Sequence, residues 1–238
     1  MSAALSYSSG ESATPLLGDT IGGNFDATVR RFGDRTALVD RPAARRWTYK
    51  ELAADVDALA LGLLEMGIDK GDRVGIWAPN CAEWTLTQYA TAKIGAILVN
   101  INPAYRTREL GFVLNQSGTK LLIAAQRLKT SDYTAMIAEV RPSCHALAHV
   151  VLIGTPPWHA LIETGRGLDR SALQRIQLDT DDPINIQYTS GTTGFPKGAT
   201  LSHHNILNNA FFVGELCHYT EEDLICIPVP FYHCFGMV

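Results

Sequence analysis

The sequence has few charged residues, and neither sign predominates enough to suggest a polyanionic or polycationic partner. Asp, Glu, Lys and Arg make up 18% of the 238 residues, and 20 basic against 24 acidic side chains give a formal net charge of −4. A protein that binds nucleic acid carries a basic stripe or patch, because the phosphates have to be neutralised. The charge balance therefore excludes nucleic acid as an expected partner.

Long apolar runs and a cysteine framework are also missing. No stretch approaches the roughly 18 consecutive apolar residues that a membrane span needs. The cysteines are odd in number and contain no CxxC pair: Cys81, Cys144, Cys217, Cys226 and Cys234. Such a scattered set favours free thiols in a reducing compartment. We therefore expect no membrane span and a cytoplasmic location.

The first residues differ in composition from the rest of the chain. Residues 1–19 are rich in Ser, Ala and Thr and have neither a basic start nor an apolar core. They predict a flexible tail rather than a secretory signal. Residues 20–238 are then the folded part.

Residues Thr48 to Met66 predict the clearest helix. Thr48 and Glu51 have the spacing of a capping box, in which each side chain satisfies a free backbone N–H. Gly67 stands where a helix often ends. Apolar residues recur at three- and four-residue steps, as on one face of a helix: Leu52, Val56, Leu59 and Leu63.

After this helix, short apolar runs alternate with amphipathic stretches. Strands are predicted over residues 73–78, 96–100, 120–124, 149–153 and 184–188. Helices are predicted over residues 82–93, 107–115, 131–140 and 205–216. The stretch 154–182, which Pro and Gly interrupt, receives no assignment. The alternation predicts an α/β fold with a mainly parallel sheet flanked by helices.

A segment rich in Gly and Thr follows the last predicted strand: Thr189-Ser190-Gly191-Thr192-Thr193-Gly194-Phe195-Pro196-Lys197-Gly198. Glycines let a backbone approach a ligand closely, and inward N–H groups of such loops bind phosphate. Lys197 adds a point charge suited to polyphosphate. A flexible surface turn is the alternative, but a turn requires neither the hydroxyl groups nor the lysine. Because Lys197 precedes Gly198 rather than Ser or Thr, this phosphate loop differs from the common NTPase loop.

The segment from Tyr188 to Gly198 resembles the signature loop of the adenylate-forming, AMP-binding superfamily, which includes acyl-CoA synthetases, luciferases and peptide-synthetase adenylation domains. Residues 71–80, 95–103 and 230–237 resemble further stretches of the same family, in the same order. Within the family, the run Asn102-Pro103-Ala104-Tyr105 is most similar to fatty-acyl-CoA synthetases.

The resemblance implies an ATP-dependent acid–thiol ligase. Such an enzyme joins a carboxylic acid, here a fatty acid, to AMP with release of pyrophosphate, and then passes the acyl group to CoA. Positioning and charge neutralisation supply most of the catalysis, because a carboxylate is a weak nucleophile attacking an anionic phosphate. By the resemblance, the β- and γ-phosphates of ATP, with Mg²⁺ shared between them and the loop, are held by Thr189, Ser190, Gly191, Thr192, Thr193, Gly194 and Lys197.

His233 is the candidate catalytic residue. By the resemblance it contacts or gates the carboxylate at the mouth of the acid site, and the alternative is an aromatic-cluster histidine satisfied by a backbone group. The pairs Cys217-His218 and His233-Cys234 lack the spacing of zinc ligands, so no metal held by protein ligands is expected. The tryptophans in apolar runs are expected in the core: Trp47, Trp77 and Trp84.

The resemblance covers only the first part of such an enzyme. The family's adenine- and ribose-binding motifs and its catalytic lysine have no counterpart before Val238. The expectation is therefore an N-terminal portion of an AMP-binding domain that is inactive alone. A non-catalytic module or remnant, and an adenylating enzyme with a carrier-protein acceptor, remain open as alternatives.

Overall fold

The computed structural model describes residues 13–189 and 196–237. The helices in these residues are α1 (Ile21–Phe32), α2 (Tyr49–Glu65), α3 (Ala82–Ile94), α4 (Thr107–Ser117), α5 (Tyr133–Val140), α6 (Pro156–Arg166), α7 (Ser171–Gln174), α8 (His203–Leu216) and α9 (Cys234–Met237), with a 3₁₀ turn at Arg141–Ser143. The strands are β1 (Thr36–Asp40), β2 (Arg45–Thr48), β3 (Arg73–Trp77), β4 (Ile97–Asn100), β5 (Leu121–Ala124), β6 (Arg127–Leu128), β7 (Ser131–Asp132), β8 (His149–Leu152), β9 (Pro183–Thr189) and β10 (Lys197–Ser202).

Within the described residues, six strands form a central sheet in the order β10-β9-β4-β3-β5-β8. The pairs from β9 to β8 are all parallel, and β10 runs antiparallel to β9. The expectation of an α/β fold with a mainly parallel sheet is thus confirmed. Two short antiparallel pairs, β1 with β2 and β6 with β7, lie outside this sheet.

Strand β5 shows how the sheet is covered on both faces. Leu121 and Ile123 pack with residues of α2 and α3, whereas Leu122 packs with residues of α4 and α5. Successive side chains of a strand point to opposite faces, and burial of both faces explains the continuous apolar run. The helices therefore lie on both faces, as the alternation of strands and helices predicts.

Helix α2 forms as its sequence predicts. The Thr48 side chain accepts from the Glu51 N–H at 3.2 Å, and the Glu51 carboxylate accepts from the Thr48 N–H at 2.8 Å, so the capping box is present. Gly67 has a φ of +83°, which favours glycine after the helix end. The predicted apolar stripe is buried: Leu52, Val56, Leu59 and Leu63.

Helices α2 and α6 touch backbone to backbone through two glycines. A Cβ atom at Gly165 would lie 1.8 Å from the Ala58 carbonyl oxygen, and one at Gly62 would lie 2.2 Å from the Leu161 carbonyl oxygen. A side chain at either position would push the helices apart. The unassigned stretch 154–182 thus contains a helix that packs tightly against the core.

Three further features bear on the sequence predictions. All five cysteines are free thiols, and burial raises the pKa of the Cys81 thiol to about 12. The predicted core tryptophans are buried: Trp47, Trp77 and Trp84. Among the helices in the described part of the chain, none is both long and apolar enough to cross a membrane.

Candidate functional site

Thr189 and Lys197 bracket the Gly/Thr-rich segment and stand opposite each other at the end of β9 and the start of β10. The Thr189 hydroxyl donates to the Lys197 carbonyl oxygen at 3.4 Å, and both residues are exposed. Because β9 runs parallel to β4, Thr189 lies at the carboxyl edge of the sheet, where α/β proteins bind their ligands. The ends of the segment are therefore at a suitable edge for a phosphate site.

The residues between Thr189 and Pro196 lie outside the described residues: Ser190, Gly191, Thr192, Thr193, Gly194 and Phe195. Their role in phosphate binding stays a prediction. Lys197 is described, and in the part of the chain that the structure covers its ammonium group has no ion-paired partner. An exposed, unpaired ammonium at this edge is free to neutralise a phosphate.

The segment that carries His233 is fixed to the sheet by two amide side chains. Asn80, in the turn after β3, donates to the Val229 carbonyl oxygen at 2.8 Å and accepts from the Phe231 N–H at 2.8 Å. Gln88 of α3 donates to the Met237 carbonyl oxygen at 3.2 Å. Neither Asn80 nor Gln88 could be identified from the sequence, since nothing in a local pattern shows contacts about 150 positions away.

Aromatic packing holds the same segment on the α3 side of the sheet. The Phe231 ring meets buried Trp84 edge to face, with ring centroids 6.4 Å apart. Gly236 permits a close turn, because a Cβ atom there would lie 2.5 Å from the Pro230 carbonyl oxygen. The segment therefore has a defined position relative to β3 and α3.

His233 is exposed within this segment, and its Nδ1 accepts from the Phe235 N–H at 3.2 Å. With Nδ1 as the acceptor, the neutral ring carries its proton on Nε2. The Tyr232 ring stands perpendicular to the His233 ring at 6.4 Å between centroids. The backbone partner of the structural alternative is thus present, yet it leaves an Nε2–H donor for a carboxylate.

Three tyrosines connect the end of β9 with the His233 segment. Burial raises the pKa of Tyr188 to about 12, with a smaller contribution from nearby Tyr105. Burial also raises the pKa of Tyr105, with contributions from nearby Tyr232 and Glu109. Tyr105 therefore lies close to both Tyr188 and Tyr232.

Three buried amide side chains next to the site each have one polar atom without a hydrogen-bond partner among the described residues. Asn100 of β4 faces Gln187 of β9 in register, and the Asn185 amide donates to the Asn100 oxygen at 3.4 Å. Within the described residues, Asn100 Nδ2, Asn185 Oδ1 and Gln187 Nε2 have no partner. Each such group costs about 1–3 kcal/mol. In the sequence, these amides stand out as polar residues within the otherwise apolar runs of β4 and β9.

The described residues offer no protein-built metal centre. Across residues 13–189 and 196–237, no group of three or more His, Cys, Asp or Glu side chains could hold a metal ion. Cys217-His218 and His233-Cys234 are therefore not joined by further ligands in this part of the chain.

A profile of AMP-binding enzymes matches residues 25–238. The chain belongs to the AMP-binding enzyme family. It is 41% identical to the medium-chain acyl-CoA ligase ACSF2, mitochondrial, of Danio rerio, over 98% of this chain and 42% of the relative. The chain thus spans less than half the length of that relative.

Solved structures share the fold. A long-chain-fatty-acid-CoA ligase (FadD1) from Archaeoglobus fulgidus matches with a TM-score of 0.82 at 24% identity, over 98% of this chain and 47% of that one. The inhibitor-bound N-terminal domain of FACL13 from Mycobacterium tuberculosis matches with a TM-score of 0.74 at 27% identity, over 90% of this chain and 52% of that one. The profile match confirms the predicted family, and the structures confirm the predicted fold class.

Proposed function

We propose that this chain supplies the phosphate-binding loop and part of the acid site of an ATP-dependent acid–thiol ligase that acts on a fatty acid. The observation that carries the proposal is the exposed, unpaired Lys197 opposite Thr189 at the carboxyl edge of the sheet. Membership of the AMP-binding family and the name of the Danio rerio relative, a medium-chain acyl-CoA ligase, support the reaction class.

The phosphate-binding residues orient pyrophosphate as the leaving group. In this proposal the β- and γ-phosphates of ATP are bound by Thr189, Ser190, Gly191, Thr192, Thr193, Gly194 and Lys197. Mg²⁺ takes oxygen ligands and is usually bound through substrate phosphates, so the polyphosphate would supply most of its ligands and a hydroxyl group such as that of Thr189 would supply one more. The ion would neutralise charge on the polyphosphate.

His233 positions the acid. Its Nε2–H donates to the carboxylate, while the Phe235 N–H holds Nδ1 and fixes the ring. Asn80 keeps this segment against β3, so the donor stays at the same edge of the sheet as Lys197. His233 thus limits the approach of the carboxylate without transferring a proton.

The acceptor and the compartment complete the proposal. The acyl group passes to CoA, with residues beyond this chain building the acceptor site, and the protein works in the cytoplasm. The name of the Danio rerio relative places that protein in mitochondria, so fractionation of cells that express this protein decides the compartment.

The test uses a polypeptide in which this chain precedes the remaining part of the Danio rerio relative. Decanoate-dependent exchange between ATP and labelled pyrophosphate measures adenylation. Lys197→Ala should lower the exchange rate by about 10²–10³, the usual effect of removing one charge-stabilising group, and Lys197→Arg should restore part of it. Exposed Lys50, which pairs only with Asp34 at the surface, gives the control Lys50→Ala. Equal exchange in Lys197→Ala and Lys50→Ala would refute the assigned role.

A further inference from the structure

An apolar groove lies between α5 and β8, on the opposite face of the sheet from the His233 segment. Its volume is about 840 Å³, within the range of roughly 300–1,000 Å³ typical of small-molecule sites. Its lining includes Ile137, Ala138, Arg141, Leu147, Val150 and Leu152. We call this cleft the β8 groove.

The β8 groove is separate from the candidate acid site in two respects. Its Ile137 and Leu147 belong to the core on the α4 and α5 face of the sheet, whereas Phe231 packs with Trp84 on the α3 face. In addition, β8 and β10 form opposite edges of the sheet within the described residues. A ligand in the groove therefore cannot touch His233 or Lys197.

The chemistry of the lining is that of an amphiphile site with a positive end. Among the described residues that line the groove, Arg141 is the one charged side chain, and the others are apolar or carry a hydroxyl. Arg141 is exposed, donates to the Ala148 carbonyl oxygen at 3.3 Å, and takes part in none of the ion pairs found in the described chain. Most of its five N–H donors are thus available to an anion.

We propose that the β8 groove binds a straight-chain carboxylate, with the chain along Ile137, Ala138 and Leu152 and the carboxylate on Arg141. A guanidinium and a carboxylate match in charge and geometry. The apolar lining favours an alkyl chain over a polar metabolite because its burial removes apolar surface from water. This second site does not depend on the proposed ligase activity.

The test is titration of the 238-residue chain with decanoate, below its micelle concentration, by calorimetry. Decanoate binding should be saturable. It should be at least about tenfold weaker in Ala138→Trp, because Ala138 is exposed and the added indole would fill the groove. Arg141→Gln should weaken decanoate roughly twofold to fivefold, the effect of one exposed ion pair, and should leave methyl decanoate unchanged.

Matched variants separate the groove from the rest of the surface. Ala135→Trp adds an indole on the same helix outside the described lining, and Arg175→Gln removes a remote exposed guanidinium. Both variants should keep the affinity of the unmodified chain. Undiminished binding in Ala138→Trp overturns the proposal. A second outcome also overturns it: the unmodified chain binds no decanoate and sediments as a dimer that Ala138→Trp dissociates. The groove would then be a contact between two copies of the chain.

Discussion

The Phe231 N–H donates to the Asn80 side-chain oxygen at 2.8 Å, across 151 positions of sequence. Asn80 also donates to the Val229 carbonyl oxygen, so one amide side chain satisfies two backbone groups of the His233 segment, as a neighbouring strand would. The segment is therefore held by the turn that ends β3, at the centre of the sheet.

Asn80→Ala should loosen that segment without unfolding the domain. Both backbone groups lose their partner but remain near solvent, so we expect about 1 kcal/mol lower unfolding free energy. The Phe231 amide should exchange its hydrogen distinctly faster, as measured by mass spectrometry. Asn209→Ala, at an exposed position of α8, is the control and should change neither quantity appreciably. Equal exchange at Phe231 in both variants would mean that Asn80 does not hold the segment.

Gly165→Ala should be strongly destabilising. The added methyl group would meet the Ala58 carbonyl oxygen at 1.8 Å, and the helices can relieve this overlap only by separating. Overpacking of a buried site typically costs about 1–3 kcal/mol and sometimes more. Urea denaturation measures the change.

Gly214 in α8 provides the opposite case, because nothing lies within 4 Å of its added Cβ atom. Gly214→Ala should raise the unfolding free energy by about 0.5–1 kcal/mol through helix propensity. If both alanine variants shift stability alike, the close contact of α2 with α6 is not required by the fold.

The helices and inner strands could be predicted where local chemistry repeats. Leu52, Val56, Leu59 and Leu63 share one helical face, and the capping box fixes where α2 begins. Helix α6 could not be predicted this way, since its Pro156 and Gly165 are typical of loops. Proline fits the first turn of a helix because no N–H is needed there, and Gly165 is explained only by the facing helix.

Strand β10 and the anchor of the site depend on distant partners. The residues of β10, Lys197–Ser202, show no apolar alternation and are mostly exposed, and their conformation follows from the register with β9. The Gly/Thr-rich motif predicts a phosphate-binding role for Thr189 and Lys197 because glycines, hydroxyl groups and a lysine are the residue types that such a loop requires. The role of Asn80 depends on which segment folds over it, and that information is spread over the whole chain.

His203 predicts a pH dependence of stability. It is fully buried, and its Nδ1 accepts from the Ile21 N–H at 3.2 Å, so the neutral ring is favoured. Burial lowers its pKa from 6.5 to about 4, with Asp182 opposing this effect and Lys70 adding to it. The folded pKa lies below the unfolded one. The stabilisation is therefore complete above about pH 6.5 and is lost as the pH falls to about 4.

At about 1.4 kcal/mol per pKa unit, the loss amounts to about 3 kcal/mol. His203→Asn keeps an acceptor for the Ile21 N–H and cannot be protonated, so its unfolding free energy should fall less over this interval. Exposed His159 gives the control His159→Asn, which should retain the slope of the unmodified chain. Parallel pH profiles for all three proteins would exclude His203 as the responsible group.

Thiol labelling should divide the cysteines into two groups. Cys217, Cys226 and Cys234 are exposed and should react with a maleimide within minutes at pH 7. Cys144 is buried, and the raised pKa of Cys81 keeps it protonated, so both should react only after unfolding. Peptide mapping after brief labelling checks this order, and rapid modification of Cys81 would contradict it.

In the described sheet, β10 has one neighbouring strand whereas β3 has two. Separating β10 from the sheet therefore breaks a single ladder of hydrogen bonds, and four of its six residues are already exposed. Local opening costs the least free energy at such an edge strand. Lys197, the first residue of β10, therefore lies where the sheet can open at the lowest cost in free energy, whereas β3, which ends just before Asn80, is paired on both sides.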